Sequence, residues 1–124
     1  MNNELTLEVE GLEKLTEELK EAYRSELEKE IKDKLGENAY IGSLSHHEGD
    51  KIKNYSFKIG FENWDVGTIF PFRKIAFCQR GNLSTEADPV VKEIKAVLQR
   101  RGYEVRHSKN SFSPLYLIEN HFKD

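Results

Sequence analysis

The chain has few of the residues that mark secreted and membrane proteins. Its 124 residues include one cysteine, Cys78, so no disulfide can close within the chain. No apolar run reaches the roughly 18 residues that a membrane-spanning helix needs. Residues 1–4 lack the basic start and apolar stretch of a secretory signal. These absences predict an intracellular, cytoplasmic protein that does not enter a membrane.

Motifs that carry catalytic or metal chemistry are also missing. The chain has no HExxH, CxxC or calcium-loop spacing, and Gly60, Gly67 and Gly81 are too isolated to form a GxGxxG or Walker loop. Its serines have no nucleophile-elbow context. Cys78 lies in an apolar stretch, which predicts a buried thiol. We therefore predict no catalytic residue, no metal and no cofactor.

The composition indicates one folded domain, residues 1–124, with a heavily charged surface. Hydrophobic residues make up 37% of the chain and charged residues 33%, and the length allows a single core. The net charge is −3, but residues 1–50 carry 6 Lys/Arg and 14 Asp/Glu, whereas residues 51–124 carry 13 and 8. The simpler interpretation is an acidic, solvated helix beside a basic sheet. A basic surface for an anionic ligand, or attraction between subunits, is the alternative.

The N-terminal part has the periodicity of a long helix. From about Glu10 to Leu35, apolar residues recur in three- and four-residue steps, and Gly36 suits the position after the helix end. Such a helix of roughly 25 residues would be about 37 Å long, longer than the sheet of a domain this size. We therefore predict a homo-oligomer through this helix, with an overhang or a bend as the alternative.

The rest of the chain alternates between strand and helix patterns. A second helix is predicted from a cap at Thr85 or Asp88 to Gly102. Strands are predicted over 38–44, 51–61, 66–70, 72–79, 103–107 and 115–118, after a possible short strand at 5–9. The predicted fold is α+β: an antiparallel sheet of about 5–6 strands covered on one face by the two helices, in the order (β)α-β-β-β-α-β-β.

Pro71 interrupts the third predicted strand. Because proline cannot donate to a strand ladder, we expect an edge, a bulge or a bend there. A bend would direct Phe70, Phe72 and Arg73 toward a common rim, and the preceding turn is expected over 62–65, around Trp64. If the protein has a pocket, we expect it at these ends of the sheet.

Basic and aromatic residues recur together in the C-terminal part. Arginine forks bind phosphates and aromatic rings stack on bases, although aromatic residues in strands usually belong to the core. The leading hypothesis is therefore a non-enzymatic binding module for an anionic ligand, either a nucleotide-like molecule or nucleic acid. The predicted ligand-binding residues are Trp64, Phe72, Arg73, Arg80, Arg106 and Lys109.

Two other functions remain open from the sequence. A protein–protein inhibitor or adaptor would present the acidic helix, with Glu17, Glu21 and Glu28, to a basic partner. Small mobile-element proteins that block host defences often have this size and composition, which is an analogy only. The third hypothesis is a metal-dependent hydrolase using His46 and His47, although their spacing matches no established metal site and a solvated turn is favoured.

Overall fold

The structure is a computed structural model of the chain and describes residues 17–43, 53–78, 88–107 and 113–122. The described elements, in chain order, are α1 (Glu17–Leu35), β1 (Ala39–Ser43), β2 (Phe57–Phe61), β3 (Trp64–Phe70), β4 (Ile75–Cys78), α2 (Pro89–Arg100), β5 (Glu104–Arg106) and α3 (Pro114–His121). The predicted α+β class is confirmed.

The strands form one sheet in the order β1-β2-β3-β4-β5. The first four strands are sequential antiparallel neighbours, as the alternation predicted. β5 pairs with β4 in parallel. β5 is parallel to β4 because the segment between them, which contains α2, is long enough to bring the chain back to the end of the sheet where β4 begins. The sheet is therefore mostly antiparallel.

Helices α1 and α2 pack on one face of the sheet and form the main core with it. The apolar stripe of α1 is confirmed over residues 21–35, where Tyr23, Leu27 and Ile31 are buried against the sheet. Gly36, at φ 93°, ends α1 and donates to the Lys32 carbonyl at 2.7 Å. The α2 residues of this core are Val90, Val91, Ile94, Val97 and Leu98.

The beginning of α2 is fixed by the predicted cap residue. The Asp88 carboxylate accepts from the backbone N–H groups of Val90 and Val91, at 2.8 and 3.3 Å. Pro89 occupies the first turn, where its missing N–H costs no helix hydrogen bond. Gly102, at φ 91°, follows the helix end as predicted.

The predicted last strand, 115–118, is wrong, because these residues lie in α3. A short apolar run cannot be assigned to strand or helix from periodicity alone. In the structure, Pro114 occupies the first turn of α3 and Leu117 packs on the sheet face opposite α1 and α2. This second cluster consists of Phe70, Phe77, Leu117 and Phe122. Helices therefore lie on both faces of the sheet.

The strand boundaries also differ from the prediction. β2 begins at Phe57, and Asn54 to Ser56 are buried ahead of it. Trp64 and Asp65 belong to β3, so the turn before them is only Glu62-Asn63. Pro71 lies in a turn between two paired strands, at the second position of a β-turn closed by the Arg73 N–H and the Phe70 carbonyl, 3.1 Å apart.

Several predictions fall on residues that the structure does not describe. They are the strand at 5–9, the helix residues 10–16, the His46-His47 turn, Arg80 and Lys109.

Candidate functional site

The turn Pro71–Lys74, which we call the arginine turn, joins β3 to β4 at one end of the sheet. Its backbone is held on both sides: the Arg73 N–H donates to Phe70, and the Lys74 carbonyl accepts from the Glu104 N–H at 2.8 Å. Lys74 has φ 56°, a left-handed conformation that few side-chain-bearing residues adopt. The turn therefore places two consecutive cations on a fixed backbone.

Asn54 and Phe122, from distant parts of the chain, both contact the Arg73 guanidinium. One terminal nitrogen donates to the Asn54 side-chain oxygen at 2.7 Å. The guanidinium carbon lies 4.3 Å from the centroid of the Phe122 ring, at the end of α3. The hydrogen bond to the amide and the contact with the ring both orient the guanidinium.

Lys74 lies over a second aromatic ring. Its ammonium group is 5.2 Å from the centroid of Tyr103, whose hydroxyl is 2.6 Å from the hydroxyl of Tyr23. Burial raises the pKa of Tyr103, and its neighbour Tyr23 adds to this shift, so the phenol stays neutral. The electron-rich face of a neutral ring favours a cation above it.

Three other arginines of the described chain pair with carboxylates. Arg106 on β5 donates to Glu104 at 2.5 Å, and this hydrogen bond lowers the pKa of Glu104. Arg101 lies 2.6 Å from Glu30, and Arg100 lies 3.1 Å from the same carboxylate. Arg100 and Arg101 therefore join α1 to the end of α2, and a structural role accounts for these two.

Four of the predicted ligand-binding residues, Trp64, Phe72, Arg73 and Arg106, lie in the described part of the chain, and there they do not form one cluster. Phe72 is half-buried against the main core, with its ring 6.5 Å from that of Tyr55. Trp64 is 68% exposed but begins β3, whereas Arg73 follows its other end. A seven-residue strand spans about 20 Å. Arg73 and Phe72 both lie in the arginine turn, and Arg73 is the one whose guanidinium contacts Asn54 and Phe122.

Two partners of this site were not predicted, Asn54 and Phe122. They are 19 and 49 residues from Arg73 in the chain, and no local pattern connects them to it. Lys74 was recognisable as a cation next to Arg73, but its position over Tyr103 depends on the parallel pairing of β5.

The acidic face of α1 is partly used inside the molecule. The Glu28 carboxylate accepts the Ile41 N–H at 2.9 Å, and Arg24 donates to the Ile41 carbonyl at 2.6 Å. Glu30 is engaged by the arginines at the end of α2. Glu21 is the most exposed of these carboxylates, and its side chain pairs with Arg24. Glu28 is therefore committed to the fold, which weakens the inhibitor or adaptor hypothesis.

The described residues offer little support for a nucleophilic or metal-binding site. Cys78 is fully buried, as predicted, and burial raises the pKa of its thiol to about 12. Within the described ranges, no three His, Cys, Asp or Glu side chains are grouped as metal ligands would be. The helices described in this structure do not combine the length and apolar character needed to cross a bilayer.

Comparison of the chain with protein-family models, with curated proteins and with solved structures finds no match. The function must therefore be argued from the contacts within this chain.

Proposed function

We propose that the protein is a binding module for a phosphate-bearing anionic ligand, and that the ligand binds at the arginine turn. The observation that supports this proposal is the position of Arg73, whose guanidinium is held between the Asn54 side chain and the Phe122 ring. Lys74 supplies a second cation on the same turn.

A fixed guanidinium is a good phosphate ligand for two reasons. Its planar fork matches two oxygens of a phosphate or carboxylate, and charge-assisted hydrogen bonds of this kind are stronger than neutral ones. Because Arg73 is already oriented, binding costs less side-chain entropy than it would for a flexible arginine.

The positions of the two predicted stacking residues, Phe72 and Trp64, bear on which part of a ligand the arginine turn would recognise. Phe72 adjoins Arg73 in the chain, but its ring packs against the main core near Tyr55, and Trp64 lies at the other end of β3. Recognition at the turn would therefore depend on the phosphate group and not on a base. A nucleotide-like molecule and the backbone of a nucleic acid both carry this group.

The test is a calorimetric titration of the full-length protein at low salt with inorganic phosphate, ATP and a single-stranded oligothymidylate. We expect at least one to bind, with an affinity that falls as salt rises. Arg73→Lys, which keeps the charge and loses the fork, and Lys74→Gln should each weaken binding about tenfold or more.

Lys34→Gln is the matched control, because Lys34 is an exposed lysine at the far end of α1. This variant should bind as the unmodified chain does. Tight binding of ATP alone would identify a nucleotide-like ligand, and a preference for the oligonucleotide would identify nucleic acid. The proposal is contradicted if none of the three probes binds. It is also contradicted if the Arg73 and Lys74 variants bind as tightly as the unmodified chain.

We also propose a cytoplasmic location. The support is the single cysteine, which is a buried thiol and suits a reducing compartment.

A further inference from the structure

The two cations of the arginine turn contact aromatic rings on opposite faces of the sheet. The Arg73 guanidinium lies 4.3 Å from the centroid of Phe122, which belongs to the second cluster, on the face covered by α3. The Lys74 ammonium lies 5.2 Å from the centroid of Tyr103, which belongs to the main core, on the face covered by α1 and α2. The turn therefore carries one positive group on each face, with the end of the sheet between them.

The strand register agrees with this placement. Phe70 and Ile75 are in register, and both side chains lie in or against the second cluster. Glu104 is in register with Ile75 in the next strand, so Tyr103, one residue earlier in the chain, points to the other face. The Tyr103 hydroxyl accordingly lies 2.6 Å from the hydroxyl of Tyr23 on α1. The ring beneath the Lys74 ammonium is therefore on the face opposite to the ring beneath the Arg73 guanidinium.

The backbone of the arginine turn is held in the conformation that separates the two side chains. The Arg73 N–H donates to the Phe70 carbonyl at 3.1 Å, and the Lys74 carbonyl accepts from the Glu104 N–H at 2.8 Å. Side chains on one face fill roughly half of the ~10 Å between a sheet and the layer packed on it. Head groups on the two faces are therefore separated by on the order of 10 Å.

This separation determines which phosphate ligands can use both cations. A single phosphate group cannot meet both head groups, because its oxygens share one phosphorus atom. The ligand must carry at least two phosphates and pass around the end of the sheet. A DNA duplex is stiff on this scale, with a persistence length of about 150 base pairs. A single strand is flexible and carries one negative charge at every nucleotide, which suits such a path.

We propose that the ligand of the arginine turn is a single-stranded nucleic acid, whose backbone passes around the end of the sheet so that one phosphate pairs with Arg73 and another with Lys74. This inference rests on the proposed function and narrows its ligand class. The rings beneath the two cations, Phe122 and Tyr103, are buried and so do not stack on bases. Binding is therefore driven by the phosphates and does not depend on the base sequence.

The first test measures how many phosphates the two cations neutralise. The full-length protein is titrated into a labelled oligothymidylate of about 12 nucleotides, and the fluorescence anisotropy is followed at several salt concentrations. Each phosphate contact to a single strand contributes about 0.7 to the slope of log affinity against log salt. We expect Arg73→Gln and Lys74→Gln each to lower this slope by about 0.7 and the affinity about tenfold. The double variant should lose about a hundredfold, because contacts to separate phosphates add.

The second test changes the ligand and leaves the protein unmodified, because Arg73→Gln also removes the contacts with Asn54 and Phe122. Two oligothymidylates of the same length carry neutral methylphosphonate linkages everywhere except at one central position or at three consecutive central positions. The probe with three charged linkages should bind about tenfold or more tightly than the probe with one. Lys34→Gln, the control used for the proposed function, should behave as the unmodified chain does in both tests.

The outcomes separate this inference from the proposed function. If inorganic phosphate, ATP and the oligothymidylate all fail to bind, the proposed function is wrong and the inference falls with it. If phosphate or ATP binds as tightly as the oligothymidylate, or the two methylphosphonate probes bind equally, the proposed function stands and the inference is overturned. The inference is also overturned if the double variant loses no more affinity than either single variant, because both cations then act on one phosphate.

Discussion

Two glycines of the sheet have very different surroundings. Gly67 lies in β3, which is paired on both sides, and a Cβ there would be 2.6 Å from the Phe77 carbonyl oxygen and 3.2 Å from the Cys78 sulfur. The carbonyl belongs to the neighbouring strand and cannot move without disturbing the ladder. We predict that Gly67→Ala lowers the free energy of unfolding by about 1–3 kcal/mol, measured by urea denaturation.

Gly60→Ala provides the comparison for Gly67→Ala. The added Cβ meets the end of the Tyr40 side chain, which is 39% exposed and can rotate away. The loss of stability should therefore be smaller, about 0.5 kcal/mol or less, because the end of a flexible side chain moves at little cost. Equal losses for the two variants would show that the close approach of β3 to β4 is not the cause.

At the scale of single residues, the sequence correctly predicted those roles that depend on neighbouring residues in the chain. Gly36 and Asp88 were recognisable as helix-end residues, and Cys78 as a buried thiol, because each role depends on neighbouring residues in the chain. The partners of Arg73 were not predictable in this way. Asn54 and Phe122 reach it only after the sheet has formed and α3 has packed on it.

At the scale of elements, α1 does more than cover the sheet. β1 lies at one edge of the sheet that the described strands form. The backbone groups of Ile41, in its centre, bond to side chains of α1: Glu28 accepts the N–H and Arg24 donates to the carbonyl. The two side chains replace the strand that would otherwise pair there. Such protection keeps an edge from pairing with another chain.

This arrangement leads to a prediction for Glu28. Glu28→Ala removes the acceptor of a partly buried backbone N–H and leaves Arg24 with one partner fewer. We expect the free energy of unfolding to fall by about 1–3 kcal/mol, measured by urea denaturation. Glu21→Ala is the control, because Glu21 also pairs with Arg24 but is 59% exposed. It should cost about 0.5 kcal/mol or less. A cost for Glu28→Ala no larger than this would refute the role assigned to the carboxylate.

Two differences between the predicted and the observed elements have physical causes. Leu115 to Ile118 have the composition of a strand, but the tertiary packing of Leu117 and Phe122 favours a helix on the open face of the sheet. Pro71 was expected to disturb a strand, and it instead takes the turn position that its fixed φ suits. In both cases a short segment was compatible with two structures, and contacts elsewhere in the chain decided between them.

At the scale of the whole molecule, the uneven charge distribution has a partial explanation. Glutamates of the acidic N-terminal half pair with arginines of the basic C-terminal half, where Glu26 and Glu30 of α1 meet Arg100 and Arg101. The layered class followed from the order of elements. The parallel pairing of β5 and the covering of both faces did not, because they depend on how the α2 and α3 segments cross the sheet.

The contact between the two halves should make the stability of the molecule depend on pH. Burial raises the pKa of Glu30, but hydrogen bonds from Arg101 and Arg100 outweigh burial, so the net shift is downward from the ordinary value. The unfolded chain then binds a proton at a higher pH than the folded chain does. The stabilisation is complete above the unfolded pKa, about 4.3, and is lost as the pH falls through the folded value.

We therefore predict that Glu30→Gln destabilises the protein at neutral pH and makes the decline of stability below about pH 4.3 shallower. Urea denaturation at a series of pH values from neutral to acidic measures both effects. Arg101 makes the shorter of the two contacts to Glu30, at 2.6 Å, so the double variant with Arg101→Gln separates the ion pair from other effects of the substitution. In the Arg101→Gln background, Glu30→Gln should change stability much less. If Glu30→Gln has the same effect in both backgrounds, the arginines are not the source of the pH dependence, and the two halves of the chain are held together mainly by the apolar core.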